Sequence, residues 1–352
     1  MKKTVKKVAY HAITHKELFL AAVFALLFFG ALVSSLMMFG ILRTEQIRRA
    51  VDTVQNIVTQ AVPITPQVRF APSHTKLPIS VPQKSELSVQ ANAAVIIDAQ
   101  SGGVLFAKNA DKKRAIASTT KLLTAMVVVD QVADVNAYIS LSQQMLNVEG
   151  VRVGCSTSYV CEGNQLHVGE RVRIHDLLKA MLIPSANDAA NALAIHVAGS
   201  EEAFAMMMNE KMKSMQLSSS NFCRPSGLDL DNSRADQSCF STARDVGHVA
   251  VAITQEAKYA VLLDILTQSE AQFFSEDGTI EHSVKTTNRL LEDGSILAGK
   301  TGFTPRAGRS FVGIAEAQPR AQKIITVVLD SPDRFGDTEL MIEWATRNYK
   351  WQ

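Results

Sequence analysis

Three short segments of this 352-residue chain carry side chains whose types and spacing could do chemistry. In Ser118-Thr119-Thr120-Lys121 a hydroxyl and an amine stand three positions apart, just before the apolar residues Leu122, Leu123, Met126 and Val127. If a helix starts near Ser118, that spacing puts the amine about one turn away, within reach of the hydroxyl. The helix N-terminus would also favour negative charge at the serine. The same residues read equally as a helix-capping serine and a surface lysine, and Ser73-His74-Thr75-Lys76 repeats the spacing by accident. Ser185-Ala186-Asn187 follows Ile183-Pro184 and precedes a helical run from Asp188. Capping alone would explain it, as it would Ser219-Ser220-Asn221. Lys300-Thr301-Gly302 is the only tripeptide of its kind in the chain. Nothing local demands a lysine and a glycine there, and a glycine within a strand marks the close approach of a ligand or another backbone. A phosphate-binding loop is excluded, because Leu291 to Gly299 is not the glycine-rich run that should precede Gly-Lys-Thr.

The elements that must position these segments are legible in outline. Ala93-Ala94-Val95-Ile96-Ile97-Asp98, a turn at Ser101-Gly102-Gly103 and Val104-Leu105-Phe106 predict a hairpin. Ser310–Ala315 and Lys323–Leu329 predict two more strands around Gln318-Pro319, and a last amphipathic helix holds Leu340, Ile342 and Trp344. Between them lie helical runs at Thr120–Val129, Ile174–Leu182, Asp188–Ala198 and Thr242–Thr254. Strands at both ends with helices between predict an α+β domain, a mostly antiparallel sheet flanked by helices with a helical insertion.

Upstream, the composition changes. Lys2, Lys3, Lys6, Lys7 and Lys16 crowd a start whose only acid is Glu17, and Leu18 to Leu42 contains no ionisable residue. Twenty-five helical residues span roughly 37 Å, enough to cross a bilayer core of about 30 Å. A cleaved signal peptide fits less well, since Leu36-Met37-Met38-Phe39-Gly40-Ile41 lacks a small-x-small site. The expected organisation is therefore a cytoplasmic tail (1–17), a transmembrane anchor (18–42), a stalk (43–87) punctuated by Pro63, Pro66, Pro72, Pro78 and Pro82, and a globular domain (88–352) outside the cell membrane. A formal net charge of +2, with no aromatic ladder or arginine-rich helix, excludes a nucleic-acid partner. Cys155, Cys161, Cys223 and Cys239 are an even set on an exported domain. Proximity favours Cys155–Cys161 and Cys223–Cys239 among three pairings, with four buried thiols as the alternative. No paired C-x-x-C spacing or nearby His pair predicts a metal site.

Taken together and in order, S-x-x-K, S-x-N and K-T-G are the signature set of serine β-lactamases and penicillin-binding proteins. Their flanks are Ala117 to Thr124, Pro184 to Ala190, Gly227-Leu228-Asp229, Ser241 to Asp245, and Lys300 to Thr304 with Ala307-Gly308. With these, residues 90–350 resemble the D-alanyl-D-alanine carboxypeptidases of the low-molecular-weight penicillin-binding class, peptidase family S11. The resemblance implies a β-lactamase/transpeptidase-like fold and no cofactor. Peptidoglycan stem peptides would be its partners and β-lactams its covalent inhibitors. It also implies roles. Ser118 would be the nucleophile, Lys121 its base, and Ser185 the proton relay to the leaving D-alanine. Asn187 would bind substrate and position Lys121. Lys300 and Thr301 would meet the terminal carboxylate, with Gly302 lying against the substrate backbone. The N–H groups of Ser118 and Phe303 would form the oxyanion hole. Arg334 falls where the family often places a second carboxylate-binding arginine, and reads otherwise as an exposed charge.

The sequence departs from that pattern by ending just after the Trp344 helix, with no second β-rich domain, and by carrying its anchor at the N-terminus. A class A β-lactamase would need a deacylating glutamate about 35 residues past S-x-N, and none occurs between Glu210 and Glu256. A β-lactam sensor would lack an output domain. A D,D-endopeptidase or transpeptidase acting on crosslinks would use the same residues.

Overall fold

A computed structural model describes residues 77–82, 85–157, 159–229, 239–317 and 322–351. The expected tail, the anchor at 18–42 and most of the stalk lie outside these residues. Among the described residues no helix is long and apolar enough to cross a membrane.

Five antiparallel strands form the central sheet. With β1 (Ile79–Ser80) first in the chain, the hairpin strands are β2 (Ala93–Asp98) and β3 (Val104–Lys108). After β4 (Tyr138–Ser140), β5 (Arg171–Arg173), β6 (Glu270–Phe274) and β7 (Glu281–Lys285) come β8 (Ala298–Thr304), β9 (Gly308–Ala317) and β10 (Gln322–Leu329). The order is β3-β2-β10-β9-β8, so both ends of the domain meet at the sheet centre and β8 is left as an edge.

The sequence explains why β2 and β10 are apolar at nearly every position. Side chains alternate between the two faces of a strand. Val95, Ile97, Ile325, Val327 and Leu329 enter one core cluster, and Ile96, Ile324 and Val328 enter the other. Both faces are therefore covered. On one side lie α1 (Lys121–Gln131), α3 (Ile174–Leu182), α4 (Asn187–Ala198), α5 (Glu201–Ser214), α6 (Ala243–Gln255) and α7 (Ala260–Leu266), with the short α2 (Gln143–Leu146) beside α4. On the other lies α9 (Arg334–Asn348), preceded in the chain by the short α8 (Arg289–Glu292). Gly247 lets α6 settle on the sheet, because a Cβ there would stand 2.6 Å from Ile97 Cδ1.

The α+β expectation is met, with four local corrections. The last helix buries Met341 and Ala345, while Leu340 is exposed. Helices α5 and α7 and the β6–β7 hairpin lie outside the expected elements; β6 buries only Phe273, and β7 buries His282 and Val284. The domain also begins before residue 88. Strand β1 pairs with β11 (Tyr349–Lys350), and Ser85 O accepts from Trp344 Nε1 at 2.7 Å. Proline-rich composition conceals this, because the pairing partner comes from the opposite end of the domain and an edge position tolerates proline nearby. Finally, Ser118 does not start an α-helix: Ala117–Thr120 is a 3₁₀ turn, and α1 begins at Lys121.

Candidate active site

Four pieces of chain converge beside the β8 edge. The Ser118 turn, Ala117–Thr120, leads into α1 and is forced into shape by its surroundings, with Ala117 at φ 48°. Such left-handed conformations in non-glycine residues cost energy and cluster at functional sites. Ser185, ahead of α4, is held the same way at φ 73°. The Gly227 segment and β8 close the remaining sides. Gly302 shows why that position has no side chain: a Cβ would lie 2.9 Å from Ile116 O, 3.1 Å from Thr119 N and 3.2 Å from Ser118 N. The strand therefore lies directly against the turn that carries Ser118.

Lys121 is the centre of the arrangement and is fully buried. Its Nζ lies 2.9 Å from Ser118 Oγ, 2.8 Å from Asn187 Oδ1 and 2.7 Å from Ser226 O. The Asn187 amide is oriented by its other end, where Nδ2 donates to Glu149 O at 2.8 Å. Burial, reinforced by the positive charge of Lys300, holds the Lys121 amine well below the usual lysine range, with the Asp188 carboxylate opposing. A neutral amine has two N–H donors and one lone pair. Two of its three neighbours, Asn187 Oδ1 and Ser226 O, can only accept, so they take both hydrogens. The lone pair is left facing Ser118 Oγ, the geometry a general base needs.

Ser185 Oγ is buried and has no hydrogen-bond partner. Its hydroxyl is therefore not committed to another protein group. Lys300 is also buried, its Nζ donating to Thr301 O at 3.3 Å. Burial first, and then the nearby Arg334, lower its pKa to about 7. The Thr301 hydroxyl bonds that of Thr287. Arg334, half-buried at the start of α9, donates from Nη1 to Gly302 O at 3.0 Å. It thus braces the back of β8 and adds positive charge there; burial and Arg309 lower its pKa to about 10. Phe303 is 60% exposed and faces solvent beside the strand edge.

The sequence-derived residues therefore fall into one group, with the cysteines at its margins. Cys155 is bonded to Cys161, and Cys223 to Cys239. The segment leading into the first pair is tied to α4, since Val153 N donates to Asp188 Oδ1 at 3.1 Å and Asn187 N to Val151 O at 2.7 Å. Cys223 and Cys239 line a small cavity behind the Ser118 turn with Ala117, Thr120 and Gly227. Sequence reasoning misses the carbonyls of Glu149 and Ser226, because backbone acceptors carry no residue signature. It also misses Asp188, whose buried carboxyl is pushed up to about 6. Its position immediately after Asn187 is the only clue.

Comparison with known proteins gives this geometry a family context. The family model described as D-alanyl-D-alanine carboxypeptidase matches residues 80–333. The D-alanyl-D-alanine endopeptidase of Pseudomonas aeruginosa is 30% identical over 79% of this chain and 83% of its own length. The D-alanyl-D-alanine carboxypeptidase DacC of Escherichia coli is 33% identical over 75% of this chain, and the match spans 63% of that protein, less than two thirds. Among solved structures, penicillin-binding protein D2 from Listeria monocytogenes in its ampicillin-bound form superposes with a TM-score of 0.59 and 30% identity, over 74% of this chain and 99% of that one.

Proposed function

Because this chain belongs to the D-alanyl-D-alanine carboxypeptidase family of serine peptidases, we propose that it removes the terminal D-alanine from peptidoglycan stem pentapeptides through an acyl-enzyme on Ser118. The observation that carries the reading is the buried Lys121 amine, 2.9 Å from Ser118 Oγ and within 2.8 Å of two groups that can only accept, Asn187 Oδ1 and Ser226 O. Ser118 Oγ attacks the carbonyl carbon of the penultimate D-alanine as its proton passes to Lys121 Nζ. The oxyanion is met by the N–H groups of Ser118 and Phe303. The C–N bond then breaks, and the Ser185 hydroxyl passes a proton to the departing amine while recovering one from Lys121. Lys300 and Thr301 hold the terminal carboxylate, with Arg334 adding positive charge behind β8. Water, activated by the same amine, releases the shortened peptide. A β-lactam would acylate Ser118 in the same way, but its opened ring stays tethered and blocks that water.

A second reading, D,D-endopeptidase action on crosslinks, is favoured by one fact: the relatives named endopeptidases are matched over 83% and 73% of their lengths. The full chain, with Ser118→Ala beside it, should be incubated with a pentapeptide muropeptide and with a crosslinked dimer. Free D-alanine from the monomer, absent in the variant, is the expected result. Cleavage of the dimer alone would move the assignment to endopeptidase, and no serine-dependent product from either would sink both.

We also assign the catalytic domain to the outer side of the cell membrane, held by the apolar run 18–42. The lysine-rich start and two disulfides support that compartment.

A further inference from the structure

Thr124 lies on α1 three residues beyond Lys121, fully buried in an otherwise apolar stretch. Its hydroxyl has one hydrogen to give. Pro225 O lies at 2.7 Å and takes it, whereas Thr120 O, the local helical alternative, is 3.4 Å away. The next carbonyl along, Ser226 O, accepts from Lys121 Nζ at 2.7 Å. The residue after that, Gly227, sits at φ 77° with its Cα pressed on the nucleophile turn. A Cβ there would stand 2.1 Å from Ala117 O and 2.8 Å from Thr120 Oγ1. Three successive residues thus each touch the element that carries Ser118 and Lys121, and the middle one supplies an acceptor to the amine.

That middle carbonyl has no freedom of its own. Pinned by Thr124 on one side and by the close approach of Gly227 on the other, it can face only Lys121. If it swung away, one N–H of the neutral amine would lose its acceptor. The remaining neighbour is Ser118 Oγ, and an N–H turned there would point the lone pair elsewhere. We propose that Thr124 is a positioning residue of the active site: through the Pro225 carbonyl it fixes the Ser226 carbonyl, which aims the lone pair of Lys121 at Ser118. The inference rests on the reading of Lys121 as the base and Ser118 as the nucleophile.

The test is acylation of the full chain by a fluorescent penicillin across about pH 5 to 10, with folding checked by thermal melting. Thr124→Val keeps the shape and removes the hydroxyl, and Thr124→Ser restores it. The valine variant should acylate about tenfold more slowly near neutral pH, as a misdirected base does. Its acid limb should move to higher pH as water reaches the amine, and the serine variant should recover most of the rate and the original limb. Should Thr124→Val not fold, Thr124→Ala removes the same hydroxyl without added bulk and should show the same shift. Wild-type rate in the folded variants overturns the proposal, as does an equal loss at every pH or a failure of serine to rescue. A wild-type chain that is not labelled at Ser118 would instead overturn the proposed function, and this inference with it.

Discussion

Two buried lysines, both held below their ordinary range, divide the work at the residue scale. In the proposed mechanism Lys121 is neutral to take a proton, and Lys300 is charged to attract a carboxylate. Burial disfavours the charged form of each. The sign of the pH dependence follows. As pH falls, Lys121 gains a proton and its lone pair is lost, so the rate drops on the acid side. As pH rises past about 7, free Lys300 loses its charge and substrate capture weakens. We expect kcat/KM for a D-alanine-terminated peptide to be bell-shaped, with the alkaline limb near the Lys300 value. In Lys300→Arg the guanidinium stays charged, so the alkaline limb should move to higher pH. An alkaline limb that stays in place in that variant would remove Lys300 from carboxylate recognition.

At the scale of elements, the site depends on an edge strand lying flush against a 3₁₀ turn. Gly302 is the point of contact, with Ile116 O, Thr119 N and Ser118 N all within 3.2 Å of where a Cβ would be. A methyl group at that point has no flexible neighbour to displace, because all three atoms are backbone. Gly302→Ala should therefore push β8 away from Ser118 while leaving the two cores intact. Displacements of about 1 Å at a reacting centre can cost about a hundredfold in rate. Acylation by a fluorescent penicillin should fall by about that factor with little change in melting temperature. Near-normal acylation in the alanine variant would show that the close approach is packing only.

For the whole molecule, the proposed anchor at 18–42 makes a prediction of its own. The described residues begin at the edge of the domain, where β1 pairs with β11 and Ser85 is bonded to the Asn348 side chain. The chain therefore enters the domain on the α9 side of the sheet. If 18–42 is an uncleaved span, the chain should sediment with membranes and resist alkaline carbonate extraction, and deletion of residues 1–42 should release it. Recovery of the full chain in the soluble fraction, or a mature N-terminus beyond residue 42, would replace the anchor with a cleaved signal. Such an anchor would not enter the chemistry, but it would limit which stem peptides the site can reach.

Much of the site is legible in the amino-acid sequence alone, because its chemistry needs particular side chains in a fixed order. Ser118, Lys121, Ser185, Asn187 and Lys300 can be picked out, as can the strands β2 and β10, whose apolar residues on both faces follow from burial on both sides. Helix periodicity likewise places α3 to the residue. What the sequence could not decide is set by contacts between distant segments. Whether Arg334 is an exposed charge or part of the site depends on its bond to Gly302 O, 32 residues away. Ser118 lies in a 3₁₀ turn because β8 and Gly227 crowd it, and no local propensity encodes that. The direction of the Lys121 lone pair is settled by two carbonyl-type acceptors, the Asn187 side chain and the Ser226 backbone. A backbone carbonyl is identical in every residue, so sequence can supply the Lys121 amine and the Ser118 hydroxyl, while only the folded chain decides which way the amine faces.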